Sequence, residues 1–343
     1  MYRKILTSCA ILLASVAAHA QEATYHLPKT AVKVSVLIEK TTFTPGDLAV
    51  YSQRYLKKKA EMTAAESYRI IDAKLSLAAV PDTSRIYKAR LENKLNIQKF
   101  DLSDDNILLA INAEGRRAEQ AEPFEAAPQA PALDPYKYLD RDILSVGSKL
   151  KMAEMCADEI YEIRDSRNEL TRGQADYMPK DGEQLSIMLS NLETQERAIR
   201  QLFEGVTLRD TTQVVLTYVP EKGREREILF RFSEHYGLVD ADDLSGDPYY
   251  MVVEDLKSMP EHIVEQGKKA PKDETGIWIA LPGKVRVSME DMTKQLSAIE
   301  FSAAQFGEVE NLNAPLFSKK VETRLVLNPY NGGIESIESQ PIK

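Results

Sequence analysis

MAEMCADEIYEIRDSRNEL at residues 152–170 and LSIMLSNLETQERAIRQLFEG at residues 185–205 decide the fold. In the first run, Met152, Met155, Cys156, Ile160, Ile163 and Leu170 recur at the spacing that puts them on one face of a helix. In the second, Leu185, Met188, Leu189, Leu192, Ile199, Leu202 and Phe203 do the same, and Gly205 stands where a helix terminates. Thr171 to Gly182 holds Gly173, Pro179 and Asp181-Gly182, so the chain must turn there. The pattern predicts an antiparallel helical hairpin whose stripes are buried against each other and a sheet.

C-terminal to the hairpin the period changes to two. Strands are predicted at Thr211 to Val219, Glu227 to Phe232, Tyr249 to Val253, Gly276 to Leu281, Lys284 to Met289, and near Val321 to Leu327 and Ile334 to Ile337. Turns punctuate them at Pro220 to Gly223, Leu281-Pro282-Gly283 and Asn328 to Gly333. No helices alternate with these strands, which predicts antiparallel pairing, as a sheet or sandwich, over parallel winding.

N-terminal to the hairpin, Val32, Val34, Val36 and Ile38 alternate with Lys33, Ser35, Leu37 and Glu39, the mark of a half-buried strand. Pro45-Gly46 ends it, and Asp47 is placed to cap a short helix in which Leu48, Tyr51 and Tyr55 share a face. Ile71, Ala73, Leu75 and Leu77 alternate again; Pro81-Asp82 reads as a turn, Arg85 to Leu91 as a returning strand, and Ile107 to Ile111 as a last one. Between Ala113 and Pro135 the composition shifts to Ala, Glu, Gln and Pro, with Pro123, Pro128, Pro131 and Pro135 breaking any regular element. That stretch reads as an extended, mobile linker or a long loop.

The first twenty residues have their own chemistry. Arg3 and Lys4 precede an apolar run from Ile5 to Val16, and Ala18-His19-Ala20 supplies the small-x-small pattern of a cleavage site, so residues 1–20 read as a secretory signal. Leu6-Thr7-Ser8-Cys9 loosely resembles a lipid-attachment motif, but most of the apolar run follows Cys9, and cleavage there would leave no signal core. No later stretch reaches the roughly 18 apolar residues of a membrane-spanning helix. The organisation expected is therefore α+β: 1–20 a signal, 21–112 a small N-terminal sheet domain, 113–136 a linker, 137–205 the helical hairpin, and 206–343 an antiparallel β domain.

Loss of the signal removes two basic residues and no acid, moving the net charge from −9 to −11. Nucleic acid and anionic membrane surfaces select clustered cations, and the short run Lys57-Lys58-Lys59 reads as a solvated helix end, so neither is an expected partner. Only Cys156 remains after the signal, among Met152, Met155 and Ile160, which marks a buried apolar residue and excludes an internal disulfide.

The search for chemistry yields no catalytic, cofactor-binding or metal set. His26, His235 and His262 are scattered, and the metalloprotease, phosphate-loop, nucleophile-elbow and dinucleotide motifs are absent. His235 has Glu234 and Tyr236 beside it, but strand neighbours point to opposite faces and make no dyad. Asp240, Asp242, Asp243, Ser245 and Asp247, with Glu254, offer hard oxygen ligands, yet Pro248 stands where a calcium loop needs glycine. Glu162, Arg164, Asp165 and Arg167, with Glu193, Glu196 and Arg197, read as polar helix faces. The sharper expectation is that Arg164 or Arg167 makes buried bidentate contacts that fix the hairpin against the sheet. Tyr249 and Tyr250 beside the acidic turn suggest an aromatic platform, one of the two facing inward, while Trp278 between Ile277 and Ile279 reads as core.

Several segments resemble an exported family found in Bacteroidetes, domain of unknown function 4831. They are Tyr25-His26-Leu27-Pro28-Lys29-Thr30 before the alternating valines, Thr44-Pro45-Gly46, Ile160-Tyr161-Glu162-Ile163-Arg164-Asp165-Ser166-Arg167, Met178-Pro179-Lys180-Asp181-Gly182, Leu202-Phe203-Glu204-Gly205 and Ala304-Gln305-Phe306-Gly307. The resemblance runs in order through nearly all of residues 21–343. It implies a periplasmic or envelope protein of a Gram-negative bacterium and carries no activity or site residues. The function expected is a non-enzymatic binding or scaffold role toward an envelope protein or glycan. The alternatives are a carboxylate-dependent hydrolase acting on an envelope glycan or peptide, and a purely structural subunit.

Overall fold

A computed structural model describes residues 22–90, 95–119, 123–125, 133–259, 277–312 and 314–342. The signal at 1–20 with Cys9, the histidine His262 and Gly276 lie outside the described residues. The fold is mixed α+β, and its strand ladders are antiparallel.

In chain order, β1 (Glu22–Tyr25) leads into β2 (Pro28–Thr44), a short turn and α1 (Ser52–Tyr55), then β3 (Ala65–Pro81), β4 (Tyr87–Arg90), β5 (Phe100–Leu102) and β6 (Leu108–Ile111). The helices α2 (Arg141–Leu144), α3 (Lys149–Arg172) and α4 (Gly182–Glu204) follow. The chain closes with β7 (Val206–Tyr218), β8 (Arg226–Ser233), β9 (Gly237–Val239), β10 (Asp247–Asp255), β11 (Ile277–Glu290), β12 (Gln295–Leu312), β13 (Val321–Leu327) and β14 (Ile334–Pro341).

Hydrogen bonding runs across the segments that composition separates. The central strand β2 pairs with β3 on one side and on the other with β7, from Val32 opposite Tyr218 to Thr44 opposite Val206. Likewise β6 pairs with β13 in the sheet β14-β13-β6-β5. Strands that precede the helices are thus completed by strands that follow them.

The alternating valines explain the first core. Val32, Val34 and Val36 are fully buried beneath the sheet β3-β2-β7, and they meet Phe230, Met251, Val285, Val287 and Met289 from the sheet β12-β11-β10-β8-β9. Two half-apolar sheets facing each other bury both faces at once, the logic of a β-sandwich. A second core gathers Tyr25, Tyr87, Leu108, Ile111, Phe317, Leu325 and Leu327 against Ile277 and Ile279.

The long strands β11 and β12 serve both cores. Ile277 and Ile279 pack in the second core and Val285 to Met289 in the first, and the ladder shifts register between Leu281 and Gly283. Leu281-Pro282-Gly283, which reads as a turn, is therefore a bulge inside one strand. Proline has no N–H for the ladder, and a bulge is where a strand tolerates it. The close approach there demands glycine on both sides: a Cβ on Gly307 would stand 1.7 Å from the Leu281 carbonyl oxygen, and one on Gly283 would stand 2.3 Å from that of Phe306.

Composition suggests a mobile stretch between 113 and 136, yet its described residues are pinned. Asp101 accepts the Gly115 N–H at 2.7 Å and pairs with Arg117, Arg116 pairs with Glu335, and the Glu119 N–H reaches the Tyr330 hydroxyl. Phe124 lies under Lys74 and donates its N–H to Gln213.

The helical hairpin has its own core. Ala153, Cys156, Ala157, Ile160 and Ile163 of α3 pack with Ile199, Leu202 and Phe203 of α4, and Leu48, Leu139 and Ile143 cover them. The expected partner surface, a sheet, is replaced here by the short segments around α1 and α2. Asp47 does not cap the turn after β2, because its carboxylate accepts the Tyr136 hydroxyl instead. The junction to the sheet is direct: the Leu48 N–H donates to the Leu202 carbonyl at 2.7 Å, and β7 starts immediately after Gly205.

Candidate functional site: the open end of the helical hairpin

Capping fixes both inner ends of the hairpin. α3 stops at Gly173 in the left-handed region (φ 70°), where the Gly173 and Gln174 N–H groups return to the carbonyls of Leu170 and Glu169. α4 starts with the Asp181 carboxylate accepting the Gln184 N–H at 2.8 Å, while the Gln184 side-chain oxygen accepts the Lys180 N–H. These caps hold the connecting loop, with its exposed Tyr177 and Met178, above the helix ends.

Midway along the hairpin a charged lock joins the two helices. Glu196 of α4 is 5% exposed, and three guanidiniums converge on it. Arg164 Nε donates to Oε1 at 2.7 Å, Arg167 Nη1 to Oε2 at 3.2 Å, and Arg200 Nη1 lies 3.7 Å from Oε1. Arg200 continues to Glu204, which Lys58 also reaches at 3.0 Å. The sequence expectation for Arg164 and Arg167 is thus half met. Both contact a buried carboxylate, but each gives it a single donor rather than a bidentate pair, the arginines are themselves about a third exposed, and they fix one helix to the other rather than the hairpin to a sheet.

Beyond this lock the two stripes continue while, among the described residues, the segments that cover them stop. Leu170, Tyr177, Met188 and Leu192 line a groove of about 410 Å³, rimmed by Ser166, Glu169, Asn191 and Gln195. Ile187 beside it is 55% exposed and Tyr177 66%. An apolar floor inside an uncharged and acidic polar rim has room for an apolar group from outside the hairpin.

The other sequence candidates are placed elsewhere. Tyr249 turns inward, stacked on Phe230 at 5.0 Å between ring centres, and Tyr250 faces the opposite side with the Arg226 guanidinium 3.9 Å from its ring centre. One tyrosine does face inward, as the strand period requires, but the Arg226 guanidinium covers the other. Trp278 packs on the second core beside Tyr87. Its backbone N–H donates to the Tyr25 hydroxyl at 2.7 Å and its backbone carbonyl accepts from that hydroxyl at 3.1 Å.

The loop from Asp240 to Asp247 folds around a cation of its own. Arg231 donates to the Ala241 carbonyl at 2.9 Å and to the Gly246 carbonyl at 3.0 Å. Asp243 accepts the Ser245 N–H, which holds its carboxyl below the usual range. Glu254 stands seven residues along β10 from Asp247, about 23 Å away at the rise of a strand, opposite Arg286. No group of three metal-ligating side chains forms among the described residues. His235 is exposed, with its backbone N–H on the Ser233 hydroxyl, and His26 sets Nδ1 between the carbonyls of Asp82 and Arg85. Burial pushes the Cys156 thiol up to about 11, with Glu159 adding to the shift, so it is an inert core residue.

The chain matches the family described as domain of unknown function (DUF4831) over residues 21–335. It belongs to that family. No curated protein and no solved structure matches the chain. The segments that carry the DUF4831 resemblance have frame-building roles: Tyr25 on Trp278, Gly46 close against the Leu202 carbonyl, Leu202 on Leu48, Arg164 and Arg167 on Glu196, Asp181 as a cap. Gln305 belongs with them, tying β12 to Thr30 of β2. The groove residues Tyr177, Met188 and Leu192 were not singled out by sequence as a site. Their signal was the mismatch between a stripe running the full hairpin and covering segments too short to bury all of it.

Proposed function

We propose that this DUF4831 protein is an exported, non-enzymatic binding or scaffold protein of the bacterial envelope, and that it engages a protein partner through the open end of its helical hairpin. The observation that carries this reading is the groove over Leu170, Met188 and Leu192, left open by the segments that seal the rest of the hairpin. A partner's amphipathic helix or apolar loop would extend the hairpin's own packing, with Tyr177 closing over it. Among the partners expected from sequence, a glycan fits less well, since the adjacent-tyrosine platform is occupied by Arg226 on one side and the core on the other. The leader pattern and the family resemblance support export. No described helix is long and apolar enough to cross a membrane.

The test is a crosslinked pull-down of the tagged protein from the cells that make it, read by mass spectrometry and compared with a Met188→Asp variant. The reading predicts a protein partner recovered by the parent chain and lost from the variant. Equal recovery by both, or no partner for either, overturns it.

A further inference from the structure

The two banks of the hairpin groove differ in charge. On α3 the rim residues Ser166 and Glu169 are preceded, one turn earlier on the same face, by Glu162 and Asp165, so exposed carboxylates follow one another at i, i+3 and i+7. On α4 the corresponding row is Gln184, Ile187, Asn191 and Gln195, which carries no charge. The hairpin's central acids are matched, Glu196 by Arg164 and Arg167 and Glu204 by Arg200 and Lys58. Glu162, Asp165 and Glu169 make no ion pair among the described residues. The last turn of α3 sets only Arg172 against them, and Asp176 and Lys180 of the connecting loop cancel. The excess of acid is felt along the helix: burial, with Asp140 and Glu162 beside it, holds the Glu159 carboxyl above its usual range.

We propose that the occupant of the groove is a basic amphipathic helix of a partner protein, its apolar side on Leu170, Met188 and Leu192 and a row of Lys or Arg along the α3 bank. The proposal rests on the reading of the groove as a protein-binding site and names the chemistry of the partner. Glu162 and Glu169 stand about 10 Å apart at the rise of a helix, a spacing that cations at i and i+7 of a helix lying along α3 would match. Carboxylates so spaced serve a row of cations rather than one ion, and no group of three metal-ligating side chains forms among the described residues. A second copy of this hairpin is the wrong occupant, since it brings the same acids to the seam, where like charges are unfavourable. The neutral α4 bank gives the partner a sidedness, because cations placed there would meet only amides and Ile187. The apolar floor supplies the contact, and the acids select what makes it.

Two synthetic helical peptides test it on the purified full chain. They share one apolar face of leucines and carry lysine in one case, glutamate in the other, at the polar positions. By fluorescence anisotropy the lysine peptide is expected to bind at least tenfold more tightly. Glu162→Lys combined with Glu169→Lys should reverse that order while leaving the far-ultraviolet spectrum unchanged. Met188→Asp should abolish the binding, which separates the groove from general attraction to an acidic protein. Equal binding of the two peptides, binding of neither, or lysine-peptide binding that survives Met188→Asp overturns the proposal. The crosslinked pull-down then distinguishes this proposal from the reading it rests on. The charge-reversed chain should lose the native partner as Met188→Asp does. A partner lost by Met188→Asp but kept by the charge-reversed chain refutes the basic occupant and leaves the groove reading standing, whereas a partner kept by both variants refutes the groove itself.

Discussion

Gln305 grips Thr30 by both ends of its carboxamide: Oε1 accepts the Thr30 N–H at 3.0 Å and Nε2 donates to the Thr30 carbonyl at 2.8 Å. The side chain imitates a neighbouring strand, and the same Nε2 also reaches the Pro220 carbonyl at 3.0 Å. The Thr30 hydroxyl completes the joint, donating to the Tyr330 carbonyl and accepting the Ala304 N–H. Three segments distant in sequence are thus fastened at the start of β2.

A carboxylate at this position accepts but does not donate. Gln305→Glu leaves two partly buried carbonyls facing a negative charge and is expected to cost about 2 kcal/mol, read as a lowered denaturation midpoint with an unchanged slope. An unchanged midpoint would remove the joint from the account of stability.

Gly307 opposes the Pro282 bulge with no room for a methyl group. Gly307→Ala is expected to destabilise by about 3 kcal/mol or more, since backbone on both strands must move. Gly147→Ala, where an added Cβ meets nothing within 4 Å, serves as the neutral control. Thermal melts of the two variants should separate clearly.

The lock on Glu196 predicts a third stability effect. Glu196→Gln removes the anion that three guanidiniums share and should destabilise by about 2 kcal/mol, less than for a fully buried pair because the arginines are about a third exposed. Hydrogen exchange should rise in the outer turns of α3 and α4 first. A uniform change across the chain would contradict a local lock.

Acid should loosen the protein through Asp82, Asp101 and Glu204. Burial alone raises their pKa values, but hydrogen bonds from Ser84, Gly115 and Arg200, with Lys29, Arg117 and Lys58 nearby, outweigh it and hold all three below the ordinary range. A group with a depressed folded-state pKa stabilises fully above its unfolded value and loses that contribution as pH falls through the folded one. Melting temperature should therefore drop below about pH 4, and Asp101→Asn should flatten the acid limb. A limb of the same slope in the variant would exclude Asp101 as a contributor.

Cys156, pushed up to about 11, should resist thiol reagents at pH 8 in the folded protein and react at once in denaturant. Rapid labelling without denaturant would mean that the helical core opens.

Local patterning made much of this fold legible. The valines of β2 and the stripes of α3 and α4 carry their period on their face, and Gly173, Asp181 and Gly205 mark helix ends chemically. β12 was not legible, because its burial parity changes between Ala303 and Phe306, where the strand crosses from one core to the other beside the Pro282 bulge. The same bulge made β11 read as two strands and a turn. Pairing of β2 with β7, and of β6 with β13, is a long-range choice that no local period encodes. The groove was hidden for a related reason: an apolar stripe reads as buried, and only the fold shows where its cover ends.

Site-specific photocrosslinking tests the central claim most directly. With a photoreactive residue in place of Tyr177 at the mouth of the groove, irradiation of living cells should give one reproducible protein adduct. The same residue in place of the exposed Tyr161 near the Glu196 lock should give none. Adducts at both positions alike, or at neither, would contradict a binding role for the open end of the hairpin.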